Sequence, residues 1–231
     1  MPVLENLELH VDADAVLRGQ GADPAVLRLR RPALANLAEQ AIQEGLPLVE
    51  PSVIYKTFPV QEVRHERLIF GGGGQLSGKL VAHHLAQARL VHILLCSIGD
   101  SLERYAEEVW SSSAVYSLAL DGVGSAAVEA LANAACRRLE YRAEEQGWKS
   151  SIPLSPGMVD WTVEEGQPQI FNLLKDEPLQ VSLSESYIMQ PRKALTMVVG
   201  VGPDMDMVGR TCDYCNLRDV CRYQTHYAQT D

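Results

Sequence analysis

The chain lacks a basic surface: its 231 residues carry 20 lysines and arginines against 30 aspartates and glutamates, a net charge of −10. Proteins that bind nucleic acid neutralise phosphates with a basic patch. The one local cluster, Arg28, Arg30 and Arg31, lies in a helical and partly apolar stretch. We therefore expect neither nucleic acid nor an anionic membrane as a partner, and a protein or a neutral or cationic small molecule fits better.

Long apolar runs are also missing. The longest, residues 90–98, is far shorter than the roughly 20 residues of a membrane-spanning helix and predicts a buried strand. The first residues show no basic stretch followed by an apolar one. We therefore expect no membrane segment, no signal peptide and a cytoplasmic location.

Hydrophobic periodicity predicts an α/β protein of the α+β type, with a mixed β-sheet packed against helices. The longest predicted helix, residues 113–146, is rich in alanine and leucine, and the glycines at 122–124 could interrupt it. Proline has no N–H for a strand ladder, so Pro59 is expected to split residues 51–63 into a strand pair. Other strands are predicted at residues 7–11, 68–70, 90–97, 179–183 and 194–201.

Three of the five cysteines crowd the last 20 residues, where the composition changes. We divide the chain there into a main domain, residues 1–204, and a Cys-rich metal-binding tail, residues 205–231. The candidate metal ligands are Cys212, Cys215, Cys221 and His226. The first two lie at the spacing of a thiolate knuckle, and with the other two they would form a tetrahedral zinc site. The three thiolates could instead hold an iron–sulfur cluster with a fourth ligand from elsewhere, or remain free.

A glycine-rich stretch, residues 73–80, is close to a phosphate-binding P-loop. Its sequence GGQLSGKL places Lys79 correctly, but Leu80 has no hydroxyl to hold Mg²⁺ where the P-loop has Ser or Thr. A P-loop-like nucleotide-binding protein is therefore one open reading of the sequence, and an ordinary glycine turn is the other.

Three short motifs follow one another between residues 121 and 196. The first is an Ala-rich helix with an internal acid, DGVGSAAVEALA. The second is a turn, LSPGMVDW, and the third is LSESYIMQPRKALT. In this order they resemble the activation domain of cobalamin-dependent methionine synthase, in its free-standing version. The resemblance covers residues 5–202.

The resemblance implies a function and a set of contact residues. Domains of that family bind S-adenosylmethionine and present its methyl group to the oxidised cobalamin of a partner, while an external donor supplies an electron. The implied cofactor-binding residues are Glu129, Pro156, Gly157, Met158, Glu185 and Ser186. A glutamate can pair with the ligand's ammonium, and a Pro-Gly turn exposes backbone groups for its adenine and carboxylate.

The leading hypothesis is therefore an activation protein for a corrinoid enzyme, a methyltransferase component that supports reductive remethylation of cob(II)alamin. Its implied partners are a corrinoid-binding protein or short methionine synthase and an electron donor. An alternative is a non-catalytic docking module that has lost S-adenosylmethionine. Pro153 and Met158 favour this alternative, because the family has an Arg and a Tyr at these positions, and Arg grips a carboxylate with two hydrogen bonds.

Overall fold

The computed structural model describes residues 4, 7–205 and 209–221. Within them, short 3-10 helices lie at Leu46–Leu48 and Thr211–Tyr214. The α-helices are α1 (Ala13–Gly19), α2 (Pro24–Arg30), α3 (Pro32–Gly45), α4 (Lys79–His84), α5 (Ser101–Trp110), α6 (Ala114–Glu144) and α7 (Val163–Leu174).

One curled sheet organises the fold. Its six strands have the order β3-β2-β1-β4-β8-β5, and β6 and β7 form a separate hairpin. All strand pairs described are antiparallel, where a mixed sheet was expected, whereas the α+β class is confirmed. The strands are β1 (Ser52–Arg64), β2 (Arg67–Phe70), β3 (Gln75–Ser77), β4 (Leu90–Ser97), β5 (Lys149–Ser150), β6 (Ser182–Leu183), β7 (Met189–Gln190) and β8 (Ala194–Gly202).

The sheet separates two hydrophobic clusters, because successive side chains of a strand point to opposite faces. On β4, Leu94 and Cys96 join the cluster under α1, α3, α5 and α6, which we call the first face. Ile93 and Leu95 join the cluster under α4 and α7, the second face. The continuous apolar run of β4 is thus explained by burial on both faces.

Pro59 does not break β1 into two strands but marks a change of partner. Residues up to Pro59 pair with β4, and Pro59 itself lies opposite Leu90. From Val60 onward β1 pairs with β2, with an irregularity in register before Glu62. One strand of 13 residues therefore serves two neighbours, which bends the sheet.

The helix α6 runs without interruption across the first face. The hydroxyl of Ser113 accepts the N–H of Tyr116 at its start, a standard N-cap. At Gly122 a side chain would put Cβ 2.8 Å from the carbonyl oxygen of Val16 on α1. The helix is thus not interrupted at its glycines, and Gly122 instead lets α1 pack closely against it.

Among the described helices, α6 is the one long and apolar enough to span a membrane by length and composition. Of its most apolar window, 61% is buried inside the fold, as is typical of the core helix of a water-soluble domain. The window was not apparent as a run in the sequence because glycine, serine and acidic residues interrupt it.

After α6 the chain covers the free edge of β8. Strand β5 pairs with the end of β8, Ser151 N–H donates to the carbonyl of Gly200 at 2.8 Å, and Leu154 forms an isolated bridge with Val198. The chain then passes to the second face, where Leu154 is buried.

Two predicted strands differ from the structure. Residues 7–11 adopt no regular structure and lead into the Asp12 cap of α1. The strand predicted at 179–183 is reduced to its last two residues, which form β6 and pair with β7. The apolar residues at 7, 9 and 11 and at 179 and 181 instead pack against the core from segments that are not strands.

Candidate functional site

Glu129 lies in the middle of α6, partly buried. Burial raises the pKa of its carboxyl group. Burial also raises the pKa of Cys96 and of Cys136, and the nearby carboxylate of Glu129 raises both further. Within the residues described, no hydrogen bond or ion pair reaches this carboxylate. A carboxylate in this position is stabilised by any cation that a ligand brings to it.

The side chain of Lys193 connects α6 to the start of β8. Its Nζ lies 2.8 Å from Asp121 Oδ1 and 3.0 Å from Ser125 Oγ. Its alkyl chain packs over Gly124, where a Cβ would lie 3.1–3.3 Å from three of its carbons. Glu129 follows Ser125 by one helical turn and therefore lies on the same side of α6.

Glu185 and Ser186 form the exposed tip of the β6–β7 hairpin. Ser186 Oγ is 3.1 Å from Ser184 Oγ, which also accepts the N–H of Ile188 at 3.0 Å. Tyr187 adopts a left-handed backbone conformation with φ 62°, as a tight turn requires. The hairpin leads within a few residues to Lys193, whose side chain reaches Ser125, one helical turn before Glu129.

An open cleft of about 330 Å³ lies beside this hairpin. Glu103 and Glu107 in its wall both bind the guanidinium of Arg192. Arg104 pairs with Asp100 at 3.1 Å, so each acid of the lining already has an arginine partner. The lining residues are Asp100, Glu103, Arg104, Glu107, Gln190 and Pro191.

The predicted Pro-Gly turn belongs to a compact loop, residues 155–161, which we call the Pro-Gly loop. Gly157 has φ 98°, a conformation that side chains disfavour. Its N–H donates to the carbonyl of Trp161 at 2.8 Å, and Met158 N–H donates to the carbonyl of Ser155 at 3.3 Å. Met158 is buried, with 8% of its surface exposed. Most backbone groups of the turn are therefore already bonded within the loop.

Packing against Trp161 holds the Pro-Gly loop on the second face. This indole is fully buried. A Cβ on Gly166 of α7 would lie 2.7–2.8 Å from Pro156 carbons and 2.8 Å from the ring of Trp161. A Cβ on Gly78 would lie 2.6 Å from the same ring. Both glycines thus allow α7 and the start of α4 to enclose the loop.

The predicted contact residues consequently fall in three places. Glu129 belongs to the first face, and Glu185 with Ser186 lies at the hairpin tip. Pro156, Gly157 and Met158 lie in the Pro-Gly loop, on the second face. Among the residues described, no hydrogen bond or ion pair joins the three groups directly.

The Cys-rich segment, residues 209–221, is the part of the predicted tail that the structure describes, so His226 lies outside it. Cys212 and Cys215 lie in one tight turn, in which Cys215 N–H donates to the carbonyl of Cys212 at 3.4 Å. Burial raises the pKa of Cys212, and the neighbouring thiols of Cys221 and Cys215 raise it further. No group of three metal-ligating side chains is assembled among the residues described.

The Cys-rich segment pairs with the Pro-Gly loop, a contact that no sequence motif indicated. Val159 N–H donates to the carbonyl of Tyr214 at 2.9 Å, and Met158 forms an antiparallel bridge with Cys215. Asn216 Nδ2 donates to the carbonyl of Gly157 at 2.8 Å. Three successive residues of the segment therefore meet three successive loop residues in antiparallel order.

The near P-loop does not have the geometry that phosphate binding needs. Its central residues form β3, which pairs with β2. Ser77 N–H donates to Gln169 Oε1 at 2.6 Å and Gly78 N–H to the carbonyl of Glu66 at 2.9 Å. Lys79 is paired with Asp160 at 3.8 Å instead of pointing to an anion site. The geometry therefore does not support the nucleotide-binding alternative, because the N–H groups of Ser77 and Gly78 are already used within the fold.

Comparison with known proteins agrees with the motif order noted in the sequence. No family model and no curated protein sequence matches this chain. Among solved structures, it is similar to one described as "Crystal Structure of the MetH Reactivation Domain bound to AdoHcy", with a TM-score of 0.59 and 12% sequence identity. The superposition covers 100% of this chain and 93% of that one. The chain therefore has the fold of the MetH reactivation domain, the domain that its three sequence motifs resemble.

Proposed function

We propose that this chain is an activation protein for a corrinoid enzyme, which binds S-adenosylmethionine and supports reductive remethylation of the partner's cob(II)alamin. One electron from an external donor and the methyl group of S-adenosylmethionine would give methylcobalamin and release AdoHcy. The partner would be a corrinoid-binding protein or a short methionine synthase.

The observation that carries this proposal is the carboxylate of Glu129. It is partly buried on the central helix, its pKa is raised by burial, and no described residue neutralises it. The fold to which it belongs is that of a domain bound to AdoHcy. A ligand with an ammonium and a sulfonium group would supply the missing positive charge.

The roles of the other contact residues follow from their chemistry. The backbone of the Pro-Gly loop, which contains Pro156, Gly157 and Met158, would hold the adenine, at the other end of the ligand from the ammonium, and Glu185 and Ser186 would approach the ligand from the hairpin. The protein would position the methyl donor and screen it from water, while cobalt and the sulfonium provide the reactivity. No general acid or base is required of the chain.

A metal site in the tail is part of the proposal. The thiols of Cys212, Cys215 and Cys221 have the donor chemistry for zinc or an iron–sulfur cluster, and His226 is the candidate fourth ligand. The knuckle turn between the first two thiols supports this assignment. The described residues alone do not complete a ligand set, so no step of the reaction is assigned to a metal here.

A docking module without a methyl donor is the second candidate function. Two observations favour it: the aromatic position of the family's loop is the buried Met158, and Pro153 precedes the loop where the family has an Arg. Such a module would bind the corrinoid protein and leave S-adenosylmethionine in solution.

Calorimetric titration with S-adenosylmethionine and with AdoHcy separates the two functions. We expect micromolar binding to the wild type and a loss of roughly 10–100-fold in Glu129→Gln, the value of one charge-assisted hydrogen bond. Glu108→Gln, an exposed acid on α5, is the matched control and should bind like the wild type. If neither ligand binds the wild type, the activation role is wrong and the docking module remains.

A functional assay then tests the reaction itself. A corrinoid protein in the cob(II)alamin state is mixed with S-adenosylmethionine, a low-potential reductant and this chain, and the methylcobalamin spectrum is followed. We expect its formation to depend on the chain and on Glu129. Equal rates with and without the chain would contradict the proposal.

A further inference from the structure

The Cys-rich segment uses the backbone of the Pro-Gly loop as a partner. Its Tyr214 carbonyl accepts a hydrogen bond from the N–H of Val159, and its Asn216 side chain donates one to the carbonyl of Gly157. Within the loop, the N–H of Gly157 and both backbone groups of Met158 are bonded to Trp161 and Ser155. Of the backbone polar groups of residues 157–159, the carbonyl of Val159 has no described partner.

A ligand that uses this backbone must therefore displace a protein partner. The bonds inside the loop are made by a chain segment that the buried Trp161 anchors. The bonds to the Cys-rich segment lie at the surface, and none of the segment's described residues is buried. Exposed hydrogen bonds without a buried side chain are broken at the lowest free-energy cost. The Cys-rich segment is thus the partner that a ligand would replace.

The half-buried side chain of Tyr214 also attaches the segment to the main domain, where it packs against the hydrophobic cluster of the second face. The ring of Tyr214 meets the ring of His84 on α4 edge to face, with 4.4 Å between centroids. Beyond Asn216 the apolar side chains of Leu217 and Val220 are 62% and 74% exposed. Among the described residues, the attachment therefore consists of the packing of Tyr214 and a short stretch of pairing.

We infer that the Cys-rich segment is a latch over the Pro-Gly loop, which competes with an S-adenosyl ligand for the carbonyl of Gly157 and the N–H of Val159. This inference rests on the proposed function, because it takes the loop as part of the ligand site. Only molecules with an open latch bind the ligand. The apparent affinity is therefore the affinity of the open form multiplied by the fraction of molecules in which the loop is free.

Two variants weaken the latch without touching the thiols or the loop. Asn216→Ala removes the donor to Gly157, and Asn36→Ala, an exposed residue of α3 on the first face, is its matched control. Tyr214→Ala removes the ring contact with His84, whereas Tyr214→Phe keeps it. Asn216→Ala, Asn36→Ala and Tyr214→Phe should fold with a Tm close to that of the wild type, whereas Tyr214→Ala removes a half-buried ring and should unfold at a somewhat lower temperature.

The first measurement is hydrogen exchange at single amides. In Asn216→Ala and Tyr214→Ala we expect the Val159 amide to exchange about 2–10-fold faster, the factor that one hydrogen bond contributes. The Gly157 amide, which bonds inside the loop, should keep its protection and serves as an internal reference. Unchanged exchange of Val159 in both variants would overturn the latch.

The second measurement is calorimetric titration with AdoHcy. We expect Asn216→Ala and Tyr214→Ala to bind it 2–10-fold more tightly than the wild type, in proportion to the change in exchange. Asn36→Ala and Tyr214→Phe should bind with wild-type affinity. In the wild type, saturating AdoHcy should displace the segment and so break the hydrogen bond that Val159 N–H donates to the carbonyl of Tyr214.

The outcomes separate the inference from the proposed function. If AdoHcy binds the wild type and the variants equally, or binds the variants more weakly, competition is refuted while ligand binding stands. If AdoHcy binds neither the wild type nor the variants, the proposed ligand site is wrong and the competition is refuted with it.

Discussion

Replacing Glu129 with Gln should make the protein more stable and less able to bind its ligand. The substitution keeps the shape of the side chain and removes a charge that burial disfavours and no described residue pairs with. An unsatisfied buried polar group costs about 1–3 kcal/mol, and the uncharged amide is cheaper to bury than the carboxylate. We expect a gain of about 1 kcal/mol in the free energy of unfolding, or a Tm increase of about 2–4 °C for a chain of this size.

The pH dependence identifies the cause of this gain. In the folded protein the pKa of Glu129 is raised, so the native state holds its proton more tightly than the unfolded chain, in which the pKa is near 4.5. The stability that this proton provides is fully present below about pH 4.5. It is lost as the pH rises through the pKa of Glu129 in the folded protein. The free energy of unfolding that Glu129→Gln gains over the wild type should therefore be small near pH 4 and grow toward neutral pH.

Thermal unfolding of the wild type, Glu129→Gln and the exposed control Glu108→Gln across pH 4–8 measures this effect. The control should follow the wild type at every pH. A Glu129→Gln variant that is less stable than the wild type at pH 7.5, or whose advantage does not depend on pH, would refute the reasoning. Such a result would mean that the carboxylate makes a favourable interaction in the free protein.

Three further predictions concern other parts of the fold. Burial and then the charge of Arg142 lower the pKa of His92 to about 4, so acid titration from pH 7 to 4 should cost up to about 3 kcal/mol of unfolding free energy. His92→Gln should not show this loss of unfolding free energy. A variant that loses as much stability as the wild type between pH 7 and 4 would contradict the prediction. Gly166→Ala should lower the free energy of unfolding in urea by about 1–3 kcal/mol, because the added Cβ meets Trp161. A variant that is more stable than the wild type would show that α7 can shift. Elemental analysis should find zinc or iron that Cys212→Ser loses and Cys136→Ala retains, and an unchanged metal content would place the metal elsewhere.

The sequence predicted those parts of the fold that local signals determine. The long helix was found because alanine and leucine fill it, and the buried strand β4 was found from its apolar run. The strand predicted at residues 7–11 was wrong because alternation alone does not supply a pairing partner. Pro59 was identified as a discontinuity, but only the structure shows that it marks a change of strand partner.

The candidate site was predictable only in part. The order of the three motifs indicated the fold that the structural comparison shows. The solved structure with this fold is 12% identical in sequence, and neither the family models nor the curated sequences gave a match. The roles of Glu129 and of the Pro-Gly loop remain predictions, as does the division of the chain at residue 204. The pairing of Asn216 with Gly157 joins residues 59 positions apart, and single-sequence periodicity carries no signal for such a contact.

The course of the chain after α6 also bears on how the protein behaves at high concentration. An unpaired strand at the border of a sheet is a template for pairing with another molecule. Strand β5 and the bridge from Leu154 to Val198 occupy the outer side of β8, a strand whose residues are almost all buried. The stretch that delivers the Pro-Gly loop to the second face thereby shields β8 from edge-to-edge association. Substitutions that loosen residues 149–154 should therefore appear first as aggregation on storage, before any loss of ligand binding.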